Sequence, residues 1–458
     1  MERMDGFSPD SVTLVCVLKA CGSLRDLERG QKFHADIIRD GTFGGHIFVG
    51  NALVDMYAKC GALGNAREVF DELCLRDVSS WNVMISAYAQ YEHAYHSGDD
   101  EAALNCFYRM QSEGFAADLI TFVGILKACG GSRRIQQGQE IHARFVVDRL
   151  MEKHISAGNA SVDMYAKCGM ISEAQRIFDG LSVRDLISWN VLIGAYVQQG
   201  YGKEAIRIFE RMQWEGYTPD AITFTSIIKA CTSLLSPNHG RSIHLCICRY
   251  GLDKEILVGN SLIDMYMSCK CVVDAFQVFE LMLLRDVVTW SSLIAGCAEQ
   301  GWIEDTLQLF FCMQKDGIEP NEVTYLSIVK ACSNPASFDL GKLIHGCIIE
   351  SGHDVDQCIK SSLIEMHSKC GRFEDASNIF DRGETKDVVA YGTMLAACAQ
   401  NRDFESAIHY FEAMKHNSLS PDAEVFVCLL SACSKKGLME YGFNLFGSIR
   451  GVCDLMPS

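Results

Sequence analysis

One phrase recurs four times along the chain at a nearly constant interval. "NALVDMYAKCG" begins at Asn51, and related phrases begin at Asn159, Asn260 and Ser361, at intervals of 108, 101 and 101 residues. Self-similarity at a fixed period is typical of a stacked array of small units, none of which buries its apolar face alone. The sequence therefore predicts a repeat protein rather than a globular domain with one central core.

The apolar residues inside each period follow the spacing of α-helices. In residues 186–220, Trp189, Leu192, Ile193 and Tyr196 occur at i, i+3, i+4 and i+7, and a second such stretch follows a glycine-containing turn. This pattern predicts a helical hairpin of 35 residues. Because one hairpin leaves an apolar face uncovered, neighbouring hairpins are expected to stack and share an elongated core.

The whole chain divides into hairpins of three alternating types. We place the repeats at 11–46, 47–77, 78–118, 119–154, 155–185, 186–220, 221–255, 256–286, 287–321, 322–356, 357–387, 388–422 and 423–457, with 1–10 as the remnant of a preceding repeat. Extra residues in 78–118 fall in "YEHAYHSGDD", which we interpret as a surface loop. The predicted fold is all-α: an α-solenoid superhelix of about thirteen stacked helical hairpins.

Composition excludes several classes of protein. With 458 residues, 48% of them apolar, and a net charge of −17, the chain is folded but is not a generally basic nucleic-acid binder. A run of about 20 apolar residues, as a membrane span requires, does not occur. The first ten residues resemble neither a signal peptide nor a transit peptide. The 22 cysteines include no CxxC pair and recur in register, as in "KAC", which indicates packing rather than zinc binding or disulfides.

The three repeat types resemble those of a known family. Hairpins ending in "YTPD" or "IEPN" alternate with 31-residue "NALVDMYAKCG" units and with "LKACGS" units. This order resembles the pentatricopeptide repeat proteins, specifically the plant-type subclass with alternating long, short and standard motifs, and it covers essentially the whole chain. The resemblance implies binding of single-stranded RNA at one nucleotide per repeat.

The resemblance also implies which residues read the bases, namely the fifth and the last residue of a motif. Carried onto this sequence, five pairs are alike: Asn51 with Asp77, Asn82 with Asp118, Asn159 with Asp185, Asn190 with Asp220, and Asn260 with Asp286. The later pairs are Ser291 with Asn321, Ser361 with Asp387, and Gly392 with Asp422. A carboxamide offers both a donor and an acceptor, which suits the edge of an unstacked pyrimidine. An alternative interpretation is that the aspartates are helix N-caps, and capping is compatible with reading.

By the family's code, Asn with Asp favours uracil, Ser with Asn favours adenine, and Ser with Asp leans to guanine. The "KAC" units carry Val15, Val123, Thr225, Leu326 and Val427 at the reading position, and four of these five are apolar. An apolar side chain cannot hydrogen-bond a base, so these units are expected to space rather than specify. The predicted target along the chain is N-U-U-N-U-U-N-U-A-N-R-N-N.

Lysines near the end of the first helix in the short units share a register. In the family, the lysine just before "CG" lies near the RNA backbone, which implies such a contact for Lys59, Lys167 and Lys369, while Ser268 breaks the pattern. Repeat-locked lysines are expected to form a basic stripe on one face of an acidic molecule.

The sequence contains no apparatus for catalysis. A zinc-dependent deaminase needs H-x-E and P-C-x-x-C, and neither string occurs, so no catalytic residue, metal, cofactor or small-molecule substrate is predicted. Three functions remain open. The first is RNA recognition for organellar C-to-U editing, with a deaminase supplied in trans or by sequence beyond both ends, which look cut. The second is RNA stabilisation, splicing or processing, and the third is a protein-binding scaffold. The resemblance implies a mitochondrial or chloroplast location.

Overall fold

The computed structural model describes residues 10–39, 46–91, 102–147, 154–334, 337–383, 386–401, 403–437 and 442. Over these residues it contains 25 α-helices, a short 3₁₀ helix at His353–Val355, and no strand. The predicted all-α class is confirmed. The remnant predicted before residue 10, most of the loop "YEHAYHSGDD", and the second helix of the last repeat lie outside the described residues.

The helices group into two compact units, Met1–Leu234 and Leu235–Ser458. The first unit contains α1 (Ser11–Leu24), α2 (Leu27–Arg39), α3 (Ile47–Lys59), α4 (Leu63–Glu72), α5 (Val78–Tyr91), α6 (Ala102–Ser112), α7 (Leu119–Gly131), α8 (Ile135–Val147), α9 (Ile155–Lys167), α10 (Ile171–Gly180), α11 (Leu186–Gln198), α12 (Gly202–Trp214) and α13 (Ala221–Ser233). The odd-numbered helices pack against one another in chain order, and each of α1 to α11 also packs against the helix that follows it. This arrangement is a stack of helical hairpins.

The second unit repeats this arrangement. It contains α14 (Pro237–Tyr250), α15 (Ile256–Ser268), α16 (Val272–Leu281), α17 (Val287–Glu299), α18 (Ile303–Lys315), α19 (Glu322–Ala331), α20 (Phe338–Glu350), α21 (Gln357–Lys369), α22 (Phe373–Arg382), α23 (Val388–Asn401), α24 (Phe404–His416) and α25 (Ala423–Lys436). From α15 onward the odd-numbered helices again pack in chain order. In both units the odd-numbered helices are called first helices below, and their partners second helices.

The last residue of one repeat starts the next first helix. Asp220 is the N-cap of α13: its carboxylate accepts hydrogen bonds from the backbone N–H and the hydroxyl of Thr223, at 2.8 and 2.7 Å. The Thr223 hydroxyl also accepts from the Asp220 backbone N–H, which completes a capping box. A cap of this kind stabilises a helix by about 1 kcal/mol, so the repeated aspartate has a structural role whatever else it does.

The core of each stack is built from the predicted apolar faces. Trp189 and Phe178 are both fully buried, and their rings meet edge to face with centroids 4.7 Å apart. Equivalent pairs join Trp81 to Phe70 and Trp290 to Phe279, each at 4.8 Å. The "KAC" cysteines are buried as predicted for packing residues: Cys21, Cys129, Cys231 and Cys332.

Glycine in the second helix of the "KAC" repeats allows close approach to the next short repeat. A Cβ added at Gly138 would lie 2.5 Å from Sδ of Met164, and one at Gly341 would lie 2.8 Å from Sδ of Met366. Any larger residue would therefore force the end of the methionine side chain to move. Among the described residues, none of the helices is both long enough and apolar enough to cross a membrane.

Candidate nucleic-acid interface

The structure brings most of the predicted reading pairs into direct contact. The fifth residue of a repeat lies one turn into a first helix, and the last residue of that repeat caps the following first helix beside it. Hydrogen bonds from the fifth residue to the last join five pairs: Asn82 to Asp118 at 3.0 Å, Asn159 to Asp185 at 3.4 Å, Asn190 to Asp220 at 3.1 Å, Asn260 to Asp286 at 3.1 Å, and Ser291 to Asn321 at 3.2 Å.

Three predicted pairs are not joined in this way. Within the described part of the chain, Oδ1 of Asn51 and Oγ of Ser361 are buried without a hydrogen-bond partner. Gly392 has no side chain, and Asp422 caps α25 through the backbone N–H of Val425 at 2.9 Å. The geometry of a joined pair is therefore a property of particular repeats rather than of every repeat.

The carboxylate in each joined Asn/Asp pair is held ionised. Partial burial alone would raise the pKa of Asp220, but hydrogen bonds from the backbone N–H and hydroxyl of Thr223 and from Asn190 together lower this pKa below its ordinary value. The pKa values of Asp118, Asp185 and Asp286 are lowered by the same balance. An ionised carboxylate only accepts hydrogen bonds, so the asparagine must turn its amide nitrogen toward it.

Exposed apolar side chains form a second feature of this face, which the sequence analysis missed. Ile187 is 61% exposed and lies three residues before Asn190, hence on the same side of α11. The same second position of other repeats is also exposed and apolar: Val12, Phe48, Ile120, Ile222, Leu257, Val288, Val323 and Val389. The signal was visible in the sequence as an apolar residue that falls outside the buried helical face.

Shallow grooves run over the reading positions between neighbouring first helices. In the first unit, a groove of about 310 Å³ is lined by Asp55, Lys59, Asn82 and Ile120, among others. In the second unit, a groove of about 270 Å³ passes over Ser291 and Asn321. These grooves bring polar side chains and exposed apolar side chains together at the predicted reading positions.

The lysines predicted to contact an RNA backbone are paired with acids on their own helices. Each Nζ lies close to a carboxylate one turn earlier: Lys59 to Asp55 at 2.7 Å, Lys167 to Asp163 at 2.9 Å, and Lys369 to Glu365 at 2.6 Å. Because each pair carries no net charge, these lysines make a weaker basic stripe than their register alone suggests.

One group of potential metal ligands occurs among the described residues. The ligand atoms of Glu322, Asp356 and Cys358 lie within 4.8 Å of one another. Glu322 and Cys358 are exposed to solvent, and exposed acidic groups commonly meet in this way without binding an ion. The group lies at the start of α19 and α21 and is not assigned as a metal site.

A stack of two-helix repeats with a polar pair between successive first helices defines a class of helical repeat protein, and sequence comparison identifies the family. The sequence pattern of the PPR repeat family matches residues 184–233, 285–334 and 386–435. The pattern of the single PPR repeat matches 51–78, 79–93, 260–287, 360–388 and 424–451.

Curated relatives agree with this assignment. A chloroplastic pentatricopeptide repeat-containing protein of Arabidopsis thaliana is 32% identical over 93% of this chain and 68% of its own length. A mitochondrial one from the same plant is 34% identical over 94% of this chain, which spans 41% of that relative. The chain belongs to the pentatricopeptide repeat family.

One solved structure supports the fold. The crystal structure of the pentatricopeptide repeat protein PPR10 from maize aligns over 98% of this chain and 70% of its own, with a TM-score of 0.60 at 17% identity. This likeness confirms the predicted α-solenoid class. A second structure of maize PPR10, in complex with an 18-nt psaJ RNA element, aligns with a TM-score of 0.47.

Proposed function

We propose that this chain binds single-stranded RNA along its first helices and reads one nucleotide per repeat. The observation that carries the proposal is the recurrence of one polar pair, fifth residue to last residue, at hydrogen-bond distance in five repeats. A ligand that contacts the same pair in successive repeats is itself a repeating polymer. A protein-binding groove has no comparable reason to repeat the pair.

The chemistry of the pair suits a pyrimidine. The Asn190 amide nitrogen donates one hydrogen bond to Asp220 and keeps a second N–H, which can be offered to a base carbonyl oxygen. Ile187, exposed one turn earlier, offers an apolar surface to the flat face of the same base. An unstacked base would therefore be held both by its edge and by its face.

The proposal extends to the role of the RNA-binding chain in the cell. The alternation of long, short and standard repeats supports membership of the plant-type subclass, and the names of its relatives include both mitochondrial and chloroplastic proteins. We therefore infer a specificity factor for organellar C-to-U editing, with the deaminase supplied by another protein or by further sequence. Stabilisation, splicing or processing of an organellar RNA is the alternative within RNA binding.

Selection of the purified chain against a random single-stranded RNA pool tests the proposal. We expect enrichment of the core U-U-N-U-U within the predicted target. Enrichment of an unrelated motif, or of none, would overturn RNA reading and leave the protein-binding scaffold as the better interpretation.

A single substitution sharpens this test. By the family's code, Asn190→Thr should move one position of the target from uracil toward guanine, with a discrimination of about 1–3 kcal/mol. The measurement is the affinity for RNAs that differ only at that nucleotide. Preferences at the positions read by Asn159 and Asn260 serve as internal controls and should not change. An equal loss of affinity for every RNA would indicate damage to folding instead.

A further inference from the structure

A third residue, outside the predicted reading pair, lies beside each joined asparagine. In three sites the third residue of the following repeat is threonine, and its single hydroxyl proton is shared between the capping aspartate and the asparagine carbonyl oxygen, which is the nearer of the two acceptors. The distances are the same in all three: Thr121 to Asn82, Thr223 to Asn190, and Thr289 to Asn260, each at 2.6 Å.

Sites with serine at this position lack that hydrogen bond. The hydroxyl of Ser188 donates to Asp185 at 2.8 Å, and in the described part of the chain the Oδ1 of Asn159 has no hydrogen-bond partner, although Asn159 is only 8% exposed. The same is true of Oδ1 in Asn51, whose site carries Ser80. Whether the asparagine carbonyl oxygen has a hydrogen-bond partner therefore depends on the residue at the third position of the following repeat.

The remaining sites follow the same division. Ser291 lies 2.7 Å from the hydroxyl of Thr324 and has its partners, whereas Ser361, whose site carries Ala390, has a buried hydroxyl without one. Among the described reading side chains, every buried polar atom without a partner thus belongs to a site without threonine.

Helix capping does not account for the choice between threonine and serine. Ser188 completes the same capping box with Asp185 as Thr223 completes with Asp220. The two residues differ by one methyl group, which restricts the side-chain rotamer of threonine. In this structure only the threonine hydroxyl also contacts the asparagine. The choice between threonine and serine therefore affects the asparagine carboxamide and not the helix cap.

A carboxamide held at both ends has one orientation. Asn190 donates through its amide nitrogen to Asp220 and accepts at its carbonyl oxygen from Thr223, so the group it keeps for a ligand is an N–H donor. Asn159 donates to Asp185 over a longer distance, 3.4 Å, and its carbonyl oxygen has no partner among the described residues, so its carboxamide is held less firmly. Uracil offers a carbonyl at the edge where cytosine offers an amino group, so a firmly held N–H donor favours uracil and a loosely held one discriminates less.

We propose that the third residue of the following repeat is a positioning residue for base reading. Threonine fixes the asparagine carboxamide and sharpens discrimination of uracil from cytosine, and serine relaxes it. This inference rests on the proposed RNA function. It assigns strict uracil sites to Asn82, Asn190 and Asn260, and pyrimidine sites to Asn51 and Asn159.

Reciprocal substitutions in the full chain test this assignment, because the two classes occur in adjacent repeats. The variants are Thr223→Ser and Ser188→Thr, and the probes are RNAs of the predicted target with uracil or cytosine at one position. For Thr223→Ser we expect the uracil preference at the Asn190 position to fall on the order of fivefold, as for loss of one hydrogen bond. For Ser188→Thr the preference at the Asn159 position should rise by a similar factor.

Two controls separate positioning from general stability. Each variant should leave the neighbouring position and the thermal unfolding midpoint unchanged, because both residues complete the cap. Equal uracil-to-cytosine ratios in the parent and both variants would overturn the inference.

If the chain binds none of the probes, the proposed function fails. The side-chain amide resonances of Asn190 and Asn159 in the free protein then test whether the third residue positions the carboxamide. A shift and broadening of the Asn190 resonance in Thr223→Ser supports positioning, and an unchanged spectrum overturns it.

Discussion

The two units build the same contact between a short repeat and the standard repeat after it with different side chains. In the first unit, Arg211 binds Asp179 at 2.7 Å and Glu215 at 2.9 Å, and its guanidinium lies 5.6 Å from the Trp189 ring. Arg109 makes the equivalent contacts to Asp71, Glu113 and Trp81. In the second unit the corresponding residues are Cys312, which is exposed, and Ala413, neither of which can make these ion pairs.

The second unit nevertheless keeps the aromatic pair that this arginine covers. Phe279 and Trp290 meet at 4.8 Å, close to the 4.7 Å of Phe178 and Trp189. Buried aromatic contact thus builds the hairpin stack in both units, and the charged cluster is an addition in the first. The capping role of the aspartates is likewise independent of the predicted reading residues, since Asp387 and Asp422 still cap helices beside Ser361 and Gly392.

A histidine pair marks a second difference between the units. In the first unit, His142 Nδ1 lies 3.1 Å from the Tyr165 hydroxyl, and in the second unit His244 Nδ1 makes the same contact with Tyr266 at 3.0 Å. At the equivalent place in a later repeat of the second unit, His345 Nδ1 lies 3.2 Å from Nε2 of His367 instead. Burial, with the neighbouring His345, lowers the pKa of His367 to about 4. Unfolded chains protonate histidine near pH 6.5, so stability is lost as pH falls from there toward 4.

The largest predicted effect follows from this pair. His367→Tyr should remove an acid destabilisation of about 2 kcal/mol at pH 5, the linkage expected for a pKa near 4. The Phe338 ring lies 6.2 Å from the His367 ring, so the variant is combined with Phe338→Ile to accommodate the tyrosine. Isoleucine is chosen because Ile135 occupies the same position in another repeat. The measurement is urea unfolding at pH 7.5 and pH 5. Phe338→Ile alone is the control, and equal acid dependence in both proteins would contradict the assignment.

A smaller effect is expected from the arginine cluster. Arg211→Ala should destabilise the first unit by about 1–2 kcal/mol, because it removes two partly exposed ion pairs and a cation–π contact. Arg207→Ala, an exposed arginine on the same helix, is the matched control and should change stability little. Hydrogen exchange of α10 to α12 reports the loss locally.

The reverse substitution tests the comparison from the other side. Glu280 and Asp316 occupy in the second unit the repeat positions of Asp179 and Glu215. Cys312→Arg should therefore recreate the cluster and raise protection of α16 to α18. No gain there, together with a loss for Arg211→Ala, would show that the second unit has packed around the missing arginine.

Most of the fold could be predicted from the sequence, because stacking depends on a spacing that the sequence displays. Trp189 and its neighbours at i+3 and i+4 define a buried face without reference to any other repeat. Contacts between repeats are harder to predict, since they depend on the approach of two helices. The close contact of Gly138 with Met164 is one example.

The candidate site also contains features that the sequence shows and contacts that it does not. The positions of the reading pairs came from resemblance to a family, and their reading role stays a prediction. The acid partner of Lys59 was visible in the sequence, because Asp55 lies four residues earlier on the same helix. The contact that separates Asn190 from Asn159 was not visible, because threonine and serine complete the same helix cap and only the threonine hydroxyl also lies within reach of the asparagine oxygen.

The smallest predicted effect concerns one turn in the second unit. Short repeats end their first helix with a glycine at positive φ, 80° at Gly169 and 74° at Gly371, but the third short repeat has Lys270 there, at 59°. A side chain in this left-handed region costs about 1 kcal/mol relative to glycine. Lys270→Gly should therefore stabilise the protein by about that amount, and Gly169→Lys should destabilise it similarly. Lys270→Ala removes the charge but keeps the Cβ, so thermal unfolding of this variant should show no gain; a gain equal to that of glycine would attribute the effect to charge instead of backbone strain.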